Sequence, residues 1–346
     1  MIKRLIASVL LLMMAAAVPV GLGGCSDRKI VIGVSNGYVG NNWRNQMLED
    51  LQAQFELYKE QGLVDELIVK NAGLDVDDQI EQIRSLIELD VDLLMIDPND
   101  EDKLNGVIEE AHRKGIPVIA FDQPVSSPYA INVVIDQQLW GEKLAEWLCA
   151  ELGGEGNIVM IDGLSGHPAN QNRLIGNRRV LRQYPKIRVI AEENANWDQV
   201  DAQKVMTELI HEHPNIDGVL TQDGMAQGVV KAFVEAGLDI PPMTGETFVG
   251  FLRVWKELKD SQDFETFAMN NPPGISATAL GIAVRICNGY ELKPLENNTY
   301  YYPVRDILTN DNFEEYYEKH KDKPGAYFVD EWLTEYELDL LFEARS

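Results

Sequence analysis

The chain has 346 residues, 45% hydrophobic and 25% charged, which is ample for two packed cores. Its 30 Lys and Arg face 56 Asp and Glu, a net charge of −26, so it lacks the basic face that a phosphate backbone requires and nucleic acid is not expected as a partner. Three cysteines are too few for a disulfide framework at this length.

The first residues, MIKRLIASVLLLMMAAAVPVGLGGC, have the three parts of a secretory signal: a basic start at Lys3 and Arg4, an apolar run from Leu5 to Val20, then small residues. The apolar run is short for a membrane span. LGGC resembles the lipobox of bacterial lipoproteins, which implies cleavage after Gly24 and lipidation of Cys25. The expectation is a signal peptide over 1–24 and a lipidated tether over 25–28. Such a tether would hold the body at a membrane surface. Cys149 and Cys287 fall within helical patterns and are expected as buried free thiols.

From Lys29 onward, short β-branched runs alternate with amphipathic stretches. KIVIGVSN precedes a helix predicted over Trp43–Glu60. ELIVKN precedes Val76–Leu89, DLLMIDPND precedes Lys103–Lys114, and IPVIAFDQ closes a first set. INVVID leads into Leu139–Leu152. A second set pairs NIVMIDG with Asn170–Tyr184, IRVIAEE with Gln199–His211, and DGVLTQD with Gln227–Ala236. PMTGE then precedes Phe248–Asp260, and FETFAMNN precedes Ile275–Asn288. Continuous apolar strands between helices predict parallel sheets covered on both faces, here as two α/β, Rossmann-like domains. The tail from Thr299 predicts only irregular structure with short helices.

Most strands end on polar residues: Ser35 and Asn36, Asp97 and Asn99, Asp122 and Gln123, Asp162, Gln222 and Asp223, Glu246, and Asn270 and Asn271. Open α/β sheets bind ligands at these carboxyl ends. Each residue taken singly also suits a helix cap or turn; together they predict a polar cleft. Carboxylates and amides match hydroxyl groups, which both donate and accept. Trp43 and Trp197 supply indole faces for the C–H faces of a sugar ring, and Arg173 a forked donor. His167 falls in a candidate cleft loop.

At these residues the chain resembles the type I periplasmic binding proteins of the ribose- and galactose-binding kind, over roughly Lys29 to Tyr302. VSNGYVGNNWRNQM, IDPND, FDQ, RLIG, NWD, TQDGMAQG, TGE and MNNPPG follow the family's motifs in order. The resemblance implies ligand-binding roles for Asn42, Trp43, Asp122, Gln123, Arg173, Trp197, Gln222, Glu246 and Asn270; Asp97, in the matching IDPND loop, and His167, in the cleft loop, are expected to join them. Gln123, Glu246 and Asn270 replace the family's Arg, Asp and Gln, which keeps the site polar but removes a positive charge.

The implied fold has three hinge crossovers, near Ile135, Asn271 and Tyr302. The N-terminal lobe would then be 29–134 plus 272–301, and the C-terminal lobe 135–271 plus 302–346. The implied function is a monomeric, extracytoplasmic solute-binding lipoprotein of a sugar importer, which closes on a monosaccharide or polyol and is recognised by an ABC permease and its ATPase. A sensor module for a membrane receptor or kinase would use the same cleft.

No enzyme, cofactor or metal is expected. The first strand-to-helix turn lacks GxGxxG, and no Walker A loop occurs. His211 and His213 end a helix, as the helix dipole favours. Asp97, Asn99 and Glu101 lack the glycine and terminal glutamate of a calcium loop. Asp122 and Glu246 meet a glycosidase's needs in residue type only.

Overall fold

The chain builds two six-stranded sheets, and the two share a strand order. The computed structural model describes residues 29–344 other than 263, 306 and 331. The proposed signal and Cys25 lie outside the described residues.

The first sheet contains β1 (Val31–Asn36), β2 (Glu66–Asn71), β3 (Leu93–Asp97), β4 (Val118–Asp122), β5 (Ala130–Val134) and β11 (Thr299–Tyr301), ordered β11-β5-β4-β3-β1-β2 and parallel throughout. The second contains β6 (Glu155–Asp162), β7 (Lys186–Asn194), β8 (Gly218–Thr221), β9 (Met243–Thr244), β10 (Thr266–Met269) and β12 (Ile307–Leu308), ordered β12-β10-β9-β8-β6-β7. Only β12 runs antiparallel, against β10.

Helices cover both faces of each sheet. Around the first lie α1 (Asn42–Glu60), α2 (Val76–Glu88), α3 (Asn105–Arg113) and α9 (Ile275–Cys287). Around the second lie α4 (Gln137–Glu151), α5 (Pro168–Leu181), α6 (Gln199–Glu212), α7 (Ala226–Ala236) and α8 (Val249–Gln262). This coverage is why β3 and β4 are buried at every position and read as unbroken apolar runs. The predicted helix bounds differ from the observed ones by a few residues, because the caps set the ends. Asn41, Asp75, Asp136 and Asp198 each accept a backbone N–H of the following first turn.

The chain passes between the lobes after β5, after β10 and after β11. The tail then departs from the expected partition. After α10 (Phe313–His320), which packs on α8, it runs back to the first lobe. There α11 (Glu335–Asp339) lies on α9, and Leu292 pairs with Phe342. Residues 302–346 therefore do not all belong to the C-terminal lobe. The cause is Arg285 on α9, whose guanidinium donates to Asp339 (2.9 and 2.8 Å) and Glu335 (2.8 Å). Charges 50 or more residues apart give no local sign of pairing. Cys149 is buried and Cys287 only partly so, and neither forms a disulfide.

Candidate functional site

The loop after β1 enters α1 at the point where the strand order reverses, the switch position at which open α/β sheets bind ligands. Asn41 caps the helix through the Arg44 N–H (2.9 Å). This sets Asn42 at the exposed rim, while Trp43 and Arg44 turn inward. The Trp43 indole N–H donates to the Asn271 carbonyl (2.6 Å), joining α1 to the second crossing. Arg44 pairs with Asp97, and its Nη2 lies 3.0 Å from Asp122 Oδ2. Burial pulls the Arg44 pKa down, and Asp122 opposes that shift. Asp122 has φ +63° and is the centre of a three-residue turn closed by Gln123 N–H to Phe121 O (2.8 Å). Gln123 Oε1 is buried without a hydrogen-bond partner among the described residues, so an acceptor is left for a ligand.

The second lobe repeats the device at its own switch position. His167 caps α5 and lies edge-on to Trp197, ring centroids 5.0 Å apart. Its Nε2 is 3.5 Å from Arg44 Nη2, so the two lobes touch here. Burial and the nearby Arg44 and Arg173 charges push the His167 pKa down to about 3, so its ring is neutral. Arg173 lies under Trp140, pairs with Asp223 (2.8 Å) and donates to Gln137 (2.8 Å). Trp197 has φ +55°, a costly conformation for a bulky residue. It persists because Gly163 and Gly224 make the notch: a Cβ on Gly163 would lie 2.0 Å from the indole, and Gly224 itself has φ +75°.

Together these residues enclose a cavity of about 600 Å³ between the lobes, within the usual range for small-molecule sites. Asn42, Trp43, Asp122, Gln123, His167, Arg173 and Trp197 line it. Asp97, Gln222, Glu246 and Asn270, expected in contact with ligand, stand behind its wall. Asp97 is covered by Arg44. Gln222 accepts from Trp197 Nε1 (2.9 Å) and donates to Asn170 (2.7 Å). Asn270 accepts from Thr247 (3.0 Å). Glu246 accepts from the Gln227 N–H (3.4 Å), and burial followed by repulsion from Asp223 raises its pKa to about 8.

For Gln222 and Asn270 the next residues, Asp223 and Asn271, face the cavity instead. Successive side chains of an extended segment point to opposite sides, so a polar pair at a strand end supplies one outward and one supporting residue. Arg44 was not anticipated, although it follows Trp43 directly. Its carboxylates lie 53 and 78 positions away along the sequence. Phe328 and Gly325 of the tail also line the cavity. The tail is pinned there by Gln46, whose amide bonds both backbone groups of Phe328 (2.9 and 2.8 Å).

The charged groups around the inner pocket are held in ion pairs. Arg44 faces Asp97 and Asp122, Arg173 faces Asp223, and Glu246 holds a proton at neutral pH. Around the inner pocket both guanidiniums, Arg44 and Arg173, are engaged by carboxylates, which disfavours an anionic ligand there. Indole faces, an open amide acceptor and paired guanidinium and carboxylate groups suit a neutral molecule carrying several hydroxyls.

Comparison with known proteins places this arrangement among relatives. The family described as Periplasmic binding protein domain matches residues 32–291. A xylitol-binding protein of Mycolicibacterium smegmatis is 33% identical over 254 residues, covering 72% of this chain and 70% of that protein. A ribose import binding protein of Bacillus subtilis is 26% identical over 217 residues, covering 62% and 69%. The crystal structure of an ABC transporter solute binding protein from Thermobispora bispora superposes with a TM-score of 0.80 at 25% identity, covering 90% of this chain and 94% of that one.

Proposed function

Because this chain belongs to the periplasmic binding protein family, a family of binding proteins and not of enzymes, we propose that it is the solute-binding subunit of an ATP-driven importer and traps a sugar or polyol between its lobes. The observation that carries this reading is the ion-paired, indole-walled cavity built from both lobes. The names of the xylitol- and ribose-binding relatives agree with a small hydroxylated ligand. The crossings after β5, β10 and β11 form the hinge, and closure strips water from the cleft. Every buried polar group then needs a ligand partner, and a ligand lacking the matching hydroxyl loses affinity.

The same reading takes the protein as a monomer outside the cytoplasmic membrane, tethered through lipid on Cys25 and recognised in its closed form by an ABC permease. Among the described residues no helix is long and apolar enough to cross a membrane, and a diacyl anchor would supply attachment instead. Mass spectrometry of the mature N-terminus tests the anchor: a lipid-modified Cys25 is expected, and an unmodified thiol refutes it.

Isothermal titration and thermal shift across pentoses, hexoses, pentitols and inositols test the ligand class. At least one is expected to bind with a micromolar or smaller Kd and to raise Tm by mass action. No heat and no shift from the whole panel would refute the reading.

A further inference from the structure

The cavity does not end at the pocket between the two indoles. Past Trp197 it continues over Gln199 and Val200 of α6, Gln227 of α7, and Arg253, Val254 and Glu257 of α8. Exposure rises along this path, from 1% at Arg173 to 73% at Val200, so one end is deep and the other opens to water.

The tail builds the far wall of this outer compartment. Gly250 N–H donates to the Gly325 carbonyl (2.9 Å), and Arg253 Nη2 donates to the carbonyls of Lys321 (3.0 Å) and Lys323 (2.7 Å). Phe328 packs on Phe248 with ring centroids 5.0 Å apart, giving the compartment an apolar surface. Nε and Nη1 of Arg253 and the carboxylate of Glu257 have no hydrogen-bond or ion-pair partner among the described residues. These two groups lie one helical turn apart, about 6 Å, and their charges cancel. A guanidinium edge, a carboxylate and two glutamine amides form a second set of hydroxyl partners, separate from the inner one, and the Phe328 ring offers an apolar face for sugar C–H groups.

We infer that the cleft takes a carbohydrate of two units, a disaccharide or a glycosylated polyol. One unit sits between Trp43 and Trp197, and the second lies against Phe328 and Arg253. The inference rests on the proposed reading of the cleft as a carbohydrate site and extends it to the size of the ligand.

The test is titration calorimetry on the purified protein. D-xylose, D-glucose, D-galactose, xylitol and myo-inositol are compared with xylobiose, cellobiose, lactose and galactinol. At least one two-unit compound is expected to bind tenfold or more tightly than either of its components. That ratio should fall towards one in Val254→Trp, which fills the outer compartment, and fall several-fold in Arg253→Ala, which removes its donors without adding bulk. Single units binding as tightly as every extended form would overturn the inference and leave the carbohydrate reading standing. An advantage untouched in both variants would overturn the placement of the second unit. If neither kind of compound binds, the carbohydrate reading falls and the inference with it.

Discussion

Arg44 on α1 and Asp122 at the end of β4 lie 3.0 Å apart and are almost wholly shielded from water. The same guanidinium also pairs with Asp97 at the end of the adjacent strand β3. One cation thus bridges two strand-end carboxylates, brought to them by the start of a single helix.

Removing that cation should be costly. Arg44→Ala leaves two buried carboxylates unpaired, and breaking a buried pair in this way typically costs about 3–5 kcal/mol. Urea unfolding should show a lower midpoint with an unchanged slope. Asp97→Asn in the same background should recover part of the loss. An Arg44→Ala protein as stable as the parent would show that the pairing contributes nothing.

Trp197 depends on a glycine it does not neighbour in sequence. In Gly163→Ala the new methyl would meet the indole, so the ring must leave its seat. Ligand affinity should fall roughly ten- to a hundredfold, about 1.4–2.8 kcal/mol, while Tm changes little, since Trp197 is only partly buried. Trp197→Ala should lose a similar amount, and the double variant no more than either single one. Additive losses would mean that the two residues act independently.

Stability should decline with rising pH. Burial raises the folded-state pKa of Glu246 to about 8, that of Asp162 to about 7 and that of Asp50 to about 6. A raised carboxyl contributes fully below its unfolded pKa, and the contribution is lost as pH climbs through the folded value. Tm is therefore expected to drop between about pH 4 and pH 8. Glu246→Gln cannot ionise, so its Tm should exceed the parent's at pH 9 and match it at about pH 4. Scanning calorimetry at both pH values decides this, and parallel curves would refute it.

The return of the tail hangs on Arg285. Besides Glu335 and Asp339, its guanidinium donates to the Gly281 carbonyl (3.2 Å) and Tyr58 (3.4 Å). Arg285→Ala should release α11, with faster cleavage after residue 330 in limited proteolysis and a stability loss of about 1–3 kcal/mol. Because Phe328 lies just upstream, ligand affinity should drop as well. A tail as resistant as the parent's would show that other contacts hold it.

The site was legible in the sequence to within one residue at several places. The polar pairs Gln222–Asp223 and Asn270–Asn271 mark strand ends, yet the member facing the cavity is Asp223 or Asn271. Strand pattern locates the end of a strand but not the twist of the residues that follow it, which decides the facing side. Trp43, Asp122 and Trp197 line the wall where a strand passes into a loop or helix, a position the alternation of apolar runs makes visible, whereas Arg173 reaches it from within α5.

By itself the sequence determined the parallel α/β architecture and its two repeated halves, since unbroken apolar strands alternating with amphipathic helices bury both sheet faces in only a few ways. It also determined that the carboxyl ends of those strands are polar. Only the tertiary structure decided that Arg44 holds Asp97 and Asp122, that the tail recrosses to line the cavity with Phe328, and that Glu246 stands behind it. Those contacts join residues tens to hundreds of positions apart. Their energies come from burial and charge pairing at short range in space, which no local pattern along the chain records.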